Sequence, residues 1–278
     1  MRIIKRKKGN EEYFYLQNSF RKGNKVITKE KYLGKEIPKN IEEIKKELQK
    51  DLYIKLEKIK TNFQKEWSKL PKTVKEKEKE EIAIAFTYNT NAIEGSTITL
   101  EEARGIIHDK ISPNKLLRDV RETEAHSKVF LEMLGKKEKI TNELLSQWHK
   151  EIFGDTKKDI AGKYRDYLVR VGHHIAPDWQ DVKKLMNELI RFINKEKMNP
   201  VEFAARIHYR FEKIHPFGDG NGRIGRLLMN QILWYSSYPM LIIEYKKRNS
   251  YYKAISKDEE SFVKYFIRRY VSVHKKRY

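Results

Sequence analysis

Two stretches of the chain carry apolar residues at three- and four-residue steps, and the segment between them cannot stay helical. The first opens with Asn199-Pro200-Val201-Glu202, a capping residue with proline behind it, and runs on through Phe203, Ala204, Ile207, Phe211 and Ile214. The second carries Ile224, Leu227, Leu228, Ile232 and Leu233. Between them lies His215-Pro216-Phe217-Gly218-Asp219-Gly220-Asn221-Gly222, with three glycines and a proline in eight positions. The chain must therefore complete one buried helix, turn sharply and begin another. A glycine-rich turn feeding a helix leaves free N–H groups at the positive end of the helix dipole, a natural anion seat. Arg223 and Arg226 lie one helical turn apart, so both guanidinium groups are expected on the same side of that seat. Asp219 offers oxygen ligands to a divalent cation beside a phosphate. His215 is the one group here whose ordinary pKa lies near neutrality, as a general base requires.

These residues together describe a phosphate site with its own base, metal ligand and anion hole. The segment resembles the signature of the Fic family, His-x-Phe-x-[Asp/Glu]-Gly-Asn-Gly-Arg-x-x-Arg, and matches it at all eight fixed positions. Most members of that family move AMP from ATP to a hydroxyl side chain of a target protein. The resemblance implies that His215 deprotonates the target hydroxyl and that Asp219 holds Mg²⁺ (or Mn²⁺) against the phosphates. Gly218, Gly220, Asn221 and Gly222 would cradle those phosphates, Arg223 and Arg226 would meet the outer ones, and Phe217 would peg the loop to the core.

Upstream, Ile82, Phe86 and Ile93 suit a helix that ends at Gly95. Thr90-Asn91-Ala92-Ile93-Glu94-Gly95 is similar to the family's inhibitory motif, [Ser/Thr]-x-x-x-Glu-[Gly/Asn]. Its position before the catalytic motif implies the class with an N-terminal inhibitory helix, here about residues 78–95. Glu94 would then pair with Arg226 and occupy the arginine meant for the γ-phosphate. A carboxylate can engage a guanidinium fork and repel an incoming anion.

Residues 164–176 turn to a strand pattern. The family has a flap here that aligns the target by strand addition, and Val169, Arg170, Val171, Gly172, His173 and His174 are its candidates. Joint metal ligation by His173 and His174 is not expected, because neighbours on a strand point to opposite faces. Tyr251 or Tyr252 corresponds to a family tyrosine at the nucleotide base. Asp258 and Glu259 stand where the family often places an asparagine, a departure at that end of the site. His126 and His149 are expected to be packing or surface residues.

The predicted fold is mainly α: a Fic-type helical bundle over residues 39–278, with the β flap and a β-hairpin or meander appendage over 1–38. Ile41 to Leu70 reads as one helix stopped by Pro71, Lys72 to Glu81 as a solvated connection or first turn, and the basic tail from His274 as disordered. The chain has 278 residues and no cysteine, which excludes disulfides and thiolate metal sites. No apolar run approaches a membrane span, and Met1 to Lys8 lacks the apolar stretch of a signal peptide, so a cytoplasmic protein without membrane contact is expected. The net charge of +21 is spread over the whole length, so it points to ATP or an acidic partner more than to nucleic acid. The expected partners are ATP and a target protein with a Ser, Thr or Tyr hydroxyl; a homodimer is left open. Removal of AMP from a modified target, transfer of another phosphate-linked group, and a nucleic-acid-binding regulator with a vestigial core are the alternatives.

Overall fold

The computed structural model describes residues 2–22, 25–172 and 174–277. It parts into two compact units, residues 1–57 and 58–278. The strands stop at Gly34, and the first unit runs on into the helix that follows, past the boundary expected at 38/39.

In the first unit, β1 (Arg2–Lys8), β2 (Glu11–Lys22) and β3 (Lys25–Gly34) form an antiparallel meander in the order β1-β2-β3. Arg2 pairs with Gln17, Leu16 with Lys31 and Lys22 with Lys25, with a register shift at Phe14/Tyr15. Leu16 and Leu33 are buried, whereas Lys5 and Arg6 face Glu12 and Glu30 across the strands. The expected turn residues Gly23 and Asn24 lie outside the described residues. Helix α1 (Ile41–Lys69) follows, and its Glu47 pairs with Lys31 of the sheet.

The second unit is helical because its apolar periodicity is, and its loops carry the caps. Pro71 ends α1, and α2 spans Lys72–Ile93. The charge run Lys72 to Glu81 is thus helix throughout: it contains no glycine or proline, and its charged side chains need only solvent. Thr99 and Glu102 form a capping box for α3 (Leu100–Arg104), which passes into a π-helical turn over Gly105–Asp109. Then come α4 (Leu117–Gly135), α5 (Asn142–Phe153) capped by Thr141, the hairpin strands β4 (Arg170–Val171) and β5 (His174–Ile175), and α6 (Trp179–Lys195). Helices α7 (Pro200–Ile214), α8 (Asn221–Tyr235), α9 (Arg248–Ile255) and α10 (Glu259–Val273) complete the bundle.

Every residue of α8 from Asn221 to Leu233 is buried. Such a helix must be covered on all sides, and α2, α4, α5 and α7 pack against it. Its polar side chains must then find partners inside the protein. Asn230 bonds the Leu241 backbone through both its oxygen and its nitrogen, and Gln231 donates to the carbonyl of Glu138. Arg223 and Arg226 face the same demand, which shapes the site described next.

The tail departs from expectation, being ordered through Arg277. Buried His274 donates to the Met240 carbonyl, and Arg277 pairs with Glu66 and accepts from Asn62 through its backbone oxygen. Among the described residues, no helix is long and apolar enough to cross a membrane.

Candidate active site

His215 sits at the C-terminal cap of α7 in the left-handed region, with φ +52°. A residue with a Cβ is uncommon there, and here the conformation swings the imidazole out of the helix line. Its Nδ1 lies 3.4 Å from the Glu212 carbonyl. A carbonyl can only accept, so Nδ1 carries the hydrogen and Nε2 presents its lone pair. Burial lowers the His215 pKa below its usual 6.5, and Arg165 and His174 push the same way against the Glu212 carbonyl and Glu94. The ring is therefore neutral at pH 7, as a proton acceptor must be.

The turn after His215 is fixed by side chains from several elements. Phe217 is fully buried and stacks on His149 at 4.1 Å. Asn221 accepts from the Phe217 N–H at 2.9 Å and donates to its carbonyl at 2.8 Å, clamping the loop to the start of α8. Gly220 has φ +74°, and a Cβ there would fall 2.4 Å from the Phe153 ring, so only glycine fits. A Cβ on Gly218 would lie 2.2 Å from the Tyr167 hydroxyl. The N–H groups of Asn221, Gly222 and Arg223 open α8 and have no acceptor within the helix.

Two residues essential to this geometry were not singled out by sequence. His149, expected to be packing or surface, is buried and fully engaged: Nδ1 accepts from the Gly162 N–H at 2.9 Å, and Nε2 donates to the Asp219 carbonyl at 3.0 Å. Burial lowers its pKa to about 4, which keeps it neutral and in that tautomer. Arg165, also buried, donates to the carbonyls of His215 (2.8 Å), Tyr167 (2.8 Å) and Pro177 (2.6 Å). It ties the turn to both ends of the hairpin. A lone histidine and a lone arginine carry no sequence signal for such roles.

Arg223 and Arg226 lie one turn apart as expected, but their guanidinium groups diverge and do not share one side of the seat. Arg223 pairs with Glu122 of α4 and lies over the Phe153 ring at 4.3 Å. Arg226 donates to Thr90 Oγ1 and to Glu94 Oε1, each at 2.6 Å, and to the Thr90 carbonyl at 3.2 Å. The reason is burial: Arg223 and Arg226 are only 5% and 1% exposed, so each needs a counter-charge of its own. Glu94 caps the C-terminus of α2, where Gly95 turns away with φ +92°. Its Oε1 would lie 2.2 Å from a Cβ on Gly222. The carboxylate thus stands over the first turn of α8, on the anion seat itself. Behind Arg226, burial raises the Glu212 pKa to about 8.

Asp219 is half exposed. One oxygen accepts from the Gly220 N–H at 2.6 Å and the other meets Lys157 at 2.9 Å. Among the described residues no group of three His, Cys, Asp or Glu side chains could hold a metal unaided. A single carboxylate beside free N–H groups fits a cation that completes its shell with phosphate oxygens, as Mg²⁺ commonly does.

Tyr251 and Tyr252, the two expected base contacts, sit in different surroundings. Tyr251 is 2% exposed and bonds His208 Nε2 at 2.9 Å. Tyr252 is exposed, and its hydroxyl donates to the Ile93 carbonyl at the end of α2. Asp258 caps α10 by accepting from the Ser261 N–H, and Glu259 binds Arg206 and Arg210 of α7, so both departures from the family pattern hold helices together. The hairpin pairs Arg170 with Ile175 and Val171 with His174 about a turn containing Gly172 (φ +59°), and Val169 accepts from the Ala176 N–H. His174 is held by the Lys213 carbonyl, and His173 lies outside the described residues.

Residues 139–233 match the model of the Fic/DOC family. The chain is 36% identical over 189 residues to a protein adenylyltransferase Fic of Nematostella vectensis, covering 65% of this chain and 44% of that protein. It is 33% identical over 202 residues to one from Drosophila ananassae, covering 68% and 40%. The chain thus spans less than half the length of these relatives. A Fic domain containing signaling protein from Bacteroides thetaiotaomicron superposes with a TM-score of 0.68 at 25% identity, over 80% of this chain and 97% of that one. A Fic family protein from Desulfovibrio desulfuricans gives 0.69 at 25% identity, over 81% and 72%.

Proposed function

Through residues 139–233 the chain belongs to the Fic/DOC family, and from that premise we propose that it is a protein adenylyltransferase held at rest by Glu94. The observation that carries this reading is the neutral imidazole of His215, its Nε2 lone pair free, at the mouth of a glycine turn that opens a helix. ATP places its phosphates over the first turn of α8. A target Ser, Thr or Tyr hydroxyl enters along the hairpin at Val169 to Ile175, whose short strands leave backbone groups for an added strand. His215 Nε2 takes the hydroxyl proton, the oxygen attacks the α-phosphorus in line, and the bond to pyrophosphate breaks as pyrophosphate leaves. Positioning and charge stabilisation supply most of the rate in such a transfer. Asp219, with the phosphates, would hold Mg²⁺ or Mn²⁺, which would supply neutralising charge there. Tyr252 is left as the candidate base contact.

Glu94 blocks this cycle by occupying Arg226 and the seat above Gly222. Its second carboxylate oxygen makes no hydrogen bond among the described residues, and this favours a second activity. With Glu94 docked, that oxygen could orient a water for removal of AMP from a modified target. The absence of cysteine suits the cytoplasm as the place of action. The test is labelling by ATP tagged on its α-phosphate: wild type labels itself or a target, and His215→Ala does not. Undiminished labelling by His215→Ala would defeat the reading.

A further inference from the structure

The sequence motif supplies two arginines for an anion, and both are sequestered in the bundle, with side chains only 6% and 2% exposed for Arg223 and Arg226. A third cation stands at the turn, from a segment outside the motif. Lys157, just beyond α5, places its Nζ 2.9 Å from Asp219 Oδ2 and 2.8 Å from Glu122 Oε1. Its side chain is 19% exposed, the most open of the three. Glu122 in turn accepts from Thr156 at 2.9 Å and binds Arg223. The aliphatic stem is not free to wander, because the ammonium also lies 4.6 Å from the centre of the Phe153 ring, the ring that Gly220 abuts. Arg223, Glu122, Lys157 and Asp219 therefore form a chain of alternating charge leading from the buried flank of α8 out to the turn.

An ammonium has three donors. Two are taken by Glu122 and Asp219, and one remains, on a group fixed beside the half-exposed carboxylate at the open rim of the turn. We propose that Lys157 is a phosphate-binding residue of this site, the first cation that a polyphosphate meets. Arg223 then acts through Glu122 as a positioning residue for Lys157. The proposal rests on the reading of the turn as a nucleotide site, and it adds a ligand from outside the motif.

The test measures binding of ATP, inorganic tripolyphosphate and adenosine by calorimetry, in EDTA so that no divalent cation takes part, at about physiological salt. The whole 278-residue chain carries Glu94→Gly to clear the seat. Lys157→Met should weaken ATP and tripolyphosphate about tenfold, as loss of one charge-assisted bond does, and leave adenosine unchanged. Lys157→Arg should restore most of the loss. Lys158→Met, which removes the same charge from an exposed neighbour, should change nothing. A merely structural role would lower adenosine binding as much as ATP binding, and that result would overturn the proposal. So would equal ATP affinity in Lys157→Met and its parent, while the nucleotide reading stood. A parent protein that binds neither ATP nor tripolyphosphate would overturn both.

Discussion

The glycine turn and the nearby hairpin are joined by one arginine, yet they are held in opposite ways. In the turn, the backbone and polar groups of Phe217, Asp219, Gly220 and Asn221 have named partners, drawn from α5, α8 and the turn itself. The hairpin has two residue pairs, one backbone bond from Ala176 to Val169 and the contact of His174 with Lys213. Leu168 and Ile175 are 66% and 62% exposed. The difference follows the chemistry proposed for each. A proton acceptor and an anion seat gain from being fixed before the reaction, whereas a surface that receives an extended segment needs unpaired strand edges. Arg165 couples the two, with bonds to His215 on one side and to Tyr167 and Pro177 on the other.

That contrast can be broken first at Gly220. An alanine there combines a left-handed backbone with a clash on Phe153, so Gly220→Ala should lower stability by about 3–5 kcal/mol and abolish labelling. Denaturant unfolding and a labelling gel check it; a protein as stable as wild type would mean that the turn is not rigid. Next is His149, whose folded pKa is about 4 against an unfolded 6.5. The depressed value means that the unfolded chain binds the extra proton. Its stabilising contribution is complete above pH 6.5, declines as pH falls toward 4, and changes no further below that. The stability gap between wild type and His149→Gln should therefore shrink across that window, by at most about 3 kcal/mol. A gap constant with pH would contradict the assigned tautomer.

Glu94→Gly should raise self-labelling about tenfold or more, since it removes the charge-assisted bond that occupies Arg226. Equal rates in the pair would remove autoinhibition from the account. The smallest effect on folding is expected in the hairpin: Ile175→Ala should change stability by no more than about 0.5 kcal/mol, while labelling of a protein target falls more than hydrolysis of ATP. A large loss of stability there would erase the distinction between the two regions.

What the sequence revealed and what it hid divide along the same physical line. The turn, the capping box at Thr99 and the Asn199-Pro200 helix start are local signals, written within a few residues, and all were legible. The partners of Arg223 and Arg226 were not equally so. Glu94 was, because a short motif announces it, but Glu122 sits 101 positions from Arg223 in an ordinary helical stretch. His149, Arg165 and Lys157 are single residues whose roles arise only when distant elements meet. Tyr251 and Tyr252 look equivalent in sequence; helix α9 buries one and exposes the other. The helix over Lys72 to Glu81 lacked apolar periodicity, and the ordering of the tail depended on Met240 and Glu66, far from it in the chain.

The most direct test of the central claim follows two labels on one nucleotide. Purified protein with Glu94→Gly is incubated with ATP carrying isotope on either the α- or the γ-phosphate, and the protein is then precipitated and counted. Transfer by attack on the innermost phosphorus predicts stable incorporation of the α label, none of the γ label, and loss of the α signal in His215→Ala. Incorporation of the γ label, or α incorporation that survives the loss of His215, would contradict it.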